Sequence, residues 1–128
     1  MPDTVIDATI LIDAANERPK ALEYLQPLLE TNAACTHAAA AAELLSGTRD
    51  AREQARLLRS LRQFRMLHSN EIDSPLALDY LVRFHLSHNL DFGDCLIAST
   101  TLRLGLPVAT INDRHFRLFK GLKVIRPY

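Results

Sequence analysis

The sequence predicts an α/β fold, a three-layer α/β/α sandwich built around a short, mostly parallel sheet. Short apolar segments rich in β-branched residues alternate with longer segments that have helical apolar spacing. Strands without polar alternation are typical of a parallel sheet that is covered on both faces. With 128 residues, 48% of them hydrophobic, the chain can bury a core, and we expect residues 1–128 to form a single domain.

The first half of the chain predicts two strands and three helices. Pro19 suits the first turn of a helix, whereas Pro27 is expected to disturb the same helix. The alanine run 38–42 favours a helix, which Gly47 ends. In chain order, the predicted elements are a strand over 4–6, helices over 8–16 and 19–30, a strand over 33–36 and a helix over 37–45.

The second half predicts three further helices and three strands. One face of the first of these helices carries Leu57, Leu58 and Leu61, and Gly105 ends the last of them. In chain order, the predicted elements are a helix over 51–63, a strand over 65–68, helices over 75–87 and 95–104, and strands over 107–110 and 123–125. In right-handed crossovers the carboxyl ends of strands and the starts of helices share one edge, where such sheets bind ligands.

Charge and cysteine content bound the function classes. Lys+Arg and Asp+Glu are 15 each, but residues 1–48 carry seven acids against two bases, and the remainder is basic. This asymmetry suits a metal site beside a surface for a polyanion. Two cysteines are too few for a disulfide scaffold, and from the composition of the first fifteen residues and the lack of a long apolar stretch we expect neither a secretory leader nor a membrane span. We therefore expect a cytoplasmic protein with no membrane association.

Acidic and amide side chains fall at the predicted ligand-binding edge of the sheet. They are Asp7 after the first strand, Glu43 in the helix after the second, Asp91 and Asp94 before the last long helix, and Asn112 and Asp113 after the fourth strand. Glu43 lies about six residues into its helix, so its side chain would have to reach back toward the sheet edge over roughly 9 Å. Several carboxylates in one pocket resist ionisation unless a cation compensates them, and Mg²⁺ or Mn²⁺ prefers such oxygen ligands.

Each acidic residue also has an ordinary structural interpretation. Asp7 and Asp94 each precede a predicted helix and can act as N-caps, a role that is compatible with metal binding. A lone Glu43 is most often solvated, but here its helix is otherwise apolar. The functional hypothesis therefore depends on convergence of these residues and not on any one of them.

Four segments resemble the conserved blocks of PIN-domain nucleases, in family order and spacing. They are VIDATILID over 5–13, AAELLSG over 41–47, DCLIA over 94–98 and VATINDRHF over 108–116. The chain's compact size further resembles the VapC-like toxins of type II toxin–antitoxin modules. The resemblance implies an Mg²⁺- or Mn²⁺-dependent endoribonuclease, often homodimeric and inhibited by a cognate antitoxin, in which water cleaves RNA to leave a 5′-phosphate.

By matched position, the resemblance implies that Asp7, Glu43 and Asp94 are metal ligands. Thr9 falls where relatives often have Ser, Thr or Asn, and Asp91 is a further supporting candidate. The fourth acidic position of the family falls on Asn112, and the adjacent Asp113 is an alternative catalytic residue that would act through water. A catalytically weak PIN-like module that binds RNA or an antitoxin is therefore the alternative function.

Two basic groups are candidates for contact with RNA. One follows the fourth strand and includes Arg114, Arg117 and Lys120, which are best placed to hold RNA. The other is a row of arginines over 49–62, which is interpreted equally well as a phosphate track or as a solvated helix face. No Walker A loop, dinucleotide-binding glycine motif or nucleophile elbow is present, so those enzyme classes are not indicated.

Overall fold

The computed structural model describes residues 3–128 and contains a five-stranded sheet in which every strand pair is parallel. The strands are β1 (Thr4–Ile6), β2 (Ala34–His37), β3 (Arg65–Leu67), β4 (Val108–Ala109) and β5 (Val124–Ile125). Their order across the sheet is β3-β2-β1-β4-β5. In β1, Ile6 pairs with Thr36 of β2 and with Ala109 of β4. The predicted α/β fold with a parallel sheet is confirmed.

The helices agree with the sequence prediction apart from three details. They are α1 (Ala8–Ala15), α2 (Pro19–Glu30), α3 (Ala38–Ser46), α4 (Ala51–Leu61), α5 (Asp73–His88), α6 (Phe92–Leu104) and the short α7 (Asp113–Phe116). The expectation that Pro27 disturbs α2 is wrong, because the helix continues through Pro27 to Glu30. Pro27 leaves the Glu23 carbonyl without its helical donor, but both residues are exposed, so water can solvate that carbonyl. Helix α6 begins three residues earlier than predicted, and α7 was not predicted.

Both faces of the central strand are covered. Neighbouring residues of a strand point to opposite faces, and Val5 and Ile6 are both fully buried. The sheet order reverses direction between β1 and β4, which makes the crevice beyond the carboxyl ends of these two strands the expected ligand site. Asp7 directly follows β1, and Thr110 directly follows β4. No helix within residues 3–128 has the length and apolarity needed to cross a membrane.

Candidate active site

Asp7 is the buried centre of the candidate site. It is the N-cap of α1 and is only 1% exposed. Its Oδ2 accepts hydrogen bonds from Thr110 Oγ1 (2.7 Å) and Thr9 Oγ1 (2.9 Å). Its Oδ1 is also buried but has no hydrogen-bond partner among the described residues. Because a buried carboxylate oxygen without a donor is costly, this atom marks a place where a cation would be stabilised.

Asp94 lies in the first turn of α6, facing the same crevice. Burial raises the pKa of Asp94 to about 7, and the charges of Asp91 and Asp7 add to that rise. A contact of 3.1 Å between His115 Nδ1 and Asp94 Oδ2 opposes it. Asp91, and not Asp94, is the N-cap of α6, since its Oδ1 accepts the backbone N–H of Asp94 at 2.8 Å. The cap interpretation of Asp94 is therefore wrong, and its side chain is left for other contacts.

Glu43 lies near the end of α3 at the exposed rim of the site. Partial burial raises the pKa of Glu43, with further contributions from the charges of Asp7 and Asp91. Within residues 3–128, no three His, Cys, Asp or Glu side chains are placed closely enough to hold a metal ion together. The acidic side chains thus share one electrostatic environment without forming a closed ligand shell. Like charges repel, and a divalent cation would remove that repulsion.

The direction of α3 explains how Glu43 reaches this environment. His37, at the start of α3, contacts Thr100 in the second half of α6 at 3.2 Å. Glu43, near the end of α3, is influenced by Asp91 at the start of α6. The two helices therefore run alongside each other in opposite directions. If α3 ran in the same direction as α6, Glu43 near its end would lie far from the start of α6.

The segment after β4 completes the site differently from the sequence prediction. Asn112 Nδ2 lies 2.8 Å from His115 Nδ1, and the Asn112 N–H donates to Thr110 Oγ1. Asn112 therefore reaches Asp94 through His115. The Asp113 carboxylate instead pairs with Arg117 and Arg126, both at 3.1 Å. Arg117 and then Arg126 hold the pKa of Asp113 below its usual range.

His115 and Thr110 are the site residues that sequence reasoning did not assign. For His115 a signal was present, since its spacing of three residues from Asn112 is that of neighbours on one helix face. Thr110 was treated only as the end of a strand. Its position beside Asp7 follows from the pairing of β1 with β4, which the sequence did not predict.

Basic side chains flank the acidic crevice on two sides. Arg114 is exposed on α7, next to His115, and Lys120 is exposed just beyond this helix. Arg117 is also exposed but pairs with Asp113. On the other side, Arg56 of α4 lines a cavity of about 200 Å³ together with Glu43. One member of each basic group predicted from the sequence, Arg114 and Arg56, is therefore next to a residue of the candidate site.

Comparison with known proteins identifies the family. Residues 4–122 match the PIN domain family. The chain is 32% identical over 120 residues to "Ribonuclease VapC10" of Mycobacterium tuberculosis, covering 93% of this chain and 90% of that protein.

Solved structures share the fold over nearly the whole chain. VapBC2 from Rickettsia felis, bound to a DNA fragment from its promoter, has a TM-score of 0.79 at 18% identity, covering 95% of this chain and 96% of that chain. DNA-bound VapBC from Salmonella typhimurium has a TM-score of 0.77 at 18% identity, covering 100% of both chains. The sequence match over residues 4–122, together with the crevice at the β1–β4 switch, shows that this chain belongs to the PIN-domain family.

Proposed function

We propose that this protein is a metal-dependent endoribonuclease that acts as the toxin of a toxin–antitoxin pair. The observation that carries the proposal is the buried, unpartnered Asp7 Oδ1 beside Asp94, a carboxyl group whose pKa is raised to about 7. Such a site is electrostatically incomplete without a cation. The similarity to a protein named as a ribonuclease VapC supports RNA as the substrate.

The chemistry of the donors, and not their spacing in the metal-free protein, fits Mg²⁺ or Mn²⁺. Asp7, Glu43 and Asp94 would hold the ion through carboxylate oxygens, the ligands that these hard cations prefer. When bound, the ion supplies a lowered pKa for water and offsets negative charge on the phosphate being cleaved. Water is the nucleophile, the product carries a 5′-phosphate, and no covalent intermediate with the protein is required.

The neighbouring residues orient these ligands. Thr9 and Thr110 occupy Asp7 Oδ2 and so leave Oδ1 for the ion. His115 Nδ1 lies within hydrogen-bond distance of both Asp94 and Asn112, and we assign the fourth family position to Asn112 for this reason. Asp91 supports the site by fixing the start of α6. We assign Asp113, predicted as a catalytic residue, to the organisation of the basic side chains, since two arginines engage its carboxylate.

An RNA cleavage assay with Mg²⁺, Mn²⁺ or EDTA tests the proposal. Wild-type protein should cut RNA with either metal and stop in EDTA, whereas Asp7→Ala and Asp94→Asn should each lose cleavage by at least about a hundredfold. Glu23→Gln, an exposed change on α2, is the control and should cut normally. Undiminished cutting by Asp7→Ala, or full activity in EDTA, would contradict the mechanism.

The alternative is a module that binds RNA or an antitoxin but cuts weakly. It is favoured by one observation, the presence of Asn112 where an acid would give the site a fourth carboxylate. The same assay separates the two functions. RNA binding by the wild type, with no metal-dependent product above that of Asp94→Asn, would support the alternative.

An apolar groove is the proposed contact surface for the antitoxin. The groove measures about 430 Å³ and lies between α1, α2 and α4. Leucines and Phe64 line it, and Arg56 lies at its edge and also borders the cavity next to Glu43. An amphipathic antitoxin helix with an acidic edge would fill the groove, pair with Arg56 and extend toward the acidic crevice. We propose a cytoplasmic location, which suits an RNA substrate and a partner of this kind.

Helix α5 is the proposed homodimer surface. Leu78, Val82 and Leu86 are 55%, 74% and 95% exposed and follow one another at four-residue spacing, so they form a stripe on one helix face. The adjacent Asp79 and Arg83 pair with each other at 3.0 Å and so cancel their charges beside the stripe. A large exposed apolar stripe of this kind indicates a protein interface. A second copy of the same helix suits it.

A further inference from the structure

A buried chain of polar side chains joins α3, α5 and α6 outside the acidic crevice. Asp73 at the start of α5 is 1% exposed and accepts two hydrogen bonds from the Arg103 guanidinium, at 2.7 and 3.0 Å. Asp73 Oδ2 also accepts from Thr100 Oγ1 at 2.9 Å. Thr100 Oγ1 lies 2.9 Å from Ser69 Oγ, which lies 2.8 Å from His37 Nε2. The proposed chemistry uses none of these residues.

The residues at the two ends of this network, His37 and Asp73, determine the direction in which its hydrogen bonds are donated. The Ala39 N–H donates to His37 Nδ1 at 2.9 Å, so His37 carries its proton on Nε2. Burial lowers the pKa of His37 to about 4, which keeps the ring neutral at physiological pH. His37 Nε2–H therefore donates to Ser69, Ser69 donates to Thr100, and Thr100 donates to Asp73, which can only accept. Every side-chain donor along the network is used, so the direction of hydrogen bonding is specified at each step.

This hydrogen-bonded network sets the register between α3 and α6, the two helices that carry Glu43 and Asp94. Glu43 is six residues beyond His37 on α3, and Asp94 is six residues before Thr100 on α6. Because the helices run in opposite directions, contact between His37 and Thr100 places Glu43 toward the start of α6, where the charge of Asp91 acts on it. At about 1.5 Å per residue, both carboxylates lie roughly 9 Å from that contact. A slip of one residue at the contact would shift the two carboxylates relative to each other by about 1.5 Å along the helices.

We propose that His37, Ser69, Thr100 and Asp73 form a positioning network that holds the end of α3, which carries Glu43, against the start of α6, which carries Asp94, so that a divalent ion can engage both carboxylates. The inference rests on the proposed function, because it assigns these residues a role at that same site. None of them touches the ion or the substrate. Their contribution is the placement of two ligands that lie on different helices.

Three variants of the full-length chain test the network, with Mn²⁺ affinity measured by calorimetry and thermal unfolding measured in parallel. Thr100→Val keeps the shape of the side chain but removes the hydroxyl. It should weaken Mn²⁺ binding by about tenfold, the lower end of the effect of removing groups that orient metal ligands. Thr100→Ser keeps the hydroxyl and should bind Mn²⁺ within about twofold of the wild type.

Thr101→Val is the matched control. Thr101 is equally buried on the same helix, but its hydroxyl donates only to the Ile97 carbonyl within α6. It should unfold at a lowered temperature, as Thr100→Val does, yet keep its Mn²⁺ affinity. Equal Mn²⁺ affinity in Thr100→Val and the wild type, or equal weakening in Thr101→Val, would overturn the inference while leaving the proposed nuclease intact. A wild-type chain that binds no Mn²⁺ and cuts no RNA would instead refute the proposed function, and this inference with it.

Discussion

At the scale of single residues, the site is a balance between burial and charge around Asp94. Burial, Asp91 and Asp7 all favour its neutral form, and the contact with His115 favours the charged form. The balance leaves the pKa of Asp94 at about 7, so the metal-free protein holds this carboxyl only partly ionised at neutral pH. Binding a cation would favour the ionised form. Asp94 therefore lowers the stability of the metal-free protein while increasing its affinity for a cation.

Asp94→Asn should stabilise the metal-free protein above pH 7. The folded-state pKa of Asp94 lies above its unfolded value of about 3.9, so between these values the folded state binds more protons and wild-type stability falls as the pH rises. The amide does not ionise, so the variant should lack this pH-dependent destabilisation. We expect a gain of roughly 1–3 kcal/mol at pH 8 that shrinks toward pH 4. Urea unfolding in EDTA at both pH values measures it, and a variant that is less stable than the wild type at pH 8 would contradict it.

Individual residue roles could be predicted only where the sequence fixes the neighbours. The Thr9–Asp7 contact spans two residues and follows from the helix start. By contrast, Thr110 and Asp7 are 103 residues apart and meet only because β4 pairs with β1. The choice between Asn112 and Asp113 depends on which side chain turns toward His115, and one residue of helix rotation decides it. Sequence spacing contains no information about that rotation.

At the scale of elements, the borders of α6 and α7 decide what lies at the site. Asp91 begins α6 and leaves Asp94 in the first turn. Both Asp91 and Asp94 can cap a helix, and the apolar pattern starts only at Cys95, so the sequence favoured the later start. Helix α7 has four residues, too few for a periodic pattern to be recognised. Yet α7 holds both His115, which contacts Asp94, and Arg114, which is exposed beside the crevice.

Helix α7 and the residues after it are predicted to bind the RNA backbone. Arg114→Ala combined with Arg117→Ala should weaken RNA binding and lower the slope of log affinity against log salt by about 0.7 for each phosphate that the variant no longer neutralises. Arg126 would still pair with Asp113 in this variant. Fluorescence anisotropy over a salt series, in the Asp94→Asn background to prevent cleavage, measures the slope.

A second double variant provides the charge-matched control for this test. Arg59→Ala with Arg62→Ala removes the same charge from α4, where both side chains are exposed. It should change the salt slope less than the α7 variant does. An unchanged slope in the α7 variant, or a larger change in the α4 variant, would move the RNA path to α4.

At the scale of the whole molecule, strand order places the site and leaves two apolar surfaces uncovered. Apolar pattern and turn residues predicted five strands and six of the helices, because these features act over a few neighbouring residues. Strand order and the opposed directions of α3 and α6 depend on packing between distant segments, so they could not be predicted. The groove between α1, α2 and α4 and the stripe on α5 involve different helices. The surfaces proposed for the antitoxin and for a second copy of the protein therefore do not overlap.

Val82→Glu should convert a homodimer into a monomer. In the proposed dimer, a two-fold axis at Val82 would pair the α5 stripe with itself and place Leu78 of each copy beside Leu86 of the other. The substitution would then put two carboxylates in contact at the centre of an apolar interface. Light scattering coupled to size exclusion measures the mass. Leu22→Glu, in the groove, is the control: it should remain dimeric but fail to capture the product of an adjacent small reading frame on co-expression, whereas Val82→Glu should still capture it. A monomeric wild type, or a dimer that survives Val82→Glu, would exclude α5 as the dimer interface. If Val82→Glu, and not Leu22→Glu, failed to capture that product, the antitoxin would bind α5 instead of the groove.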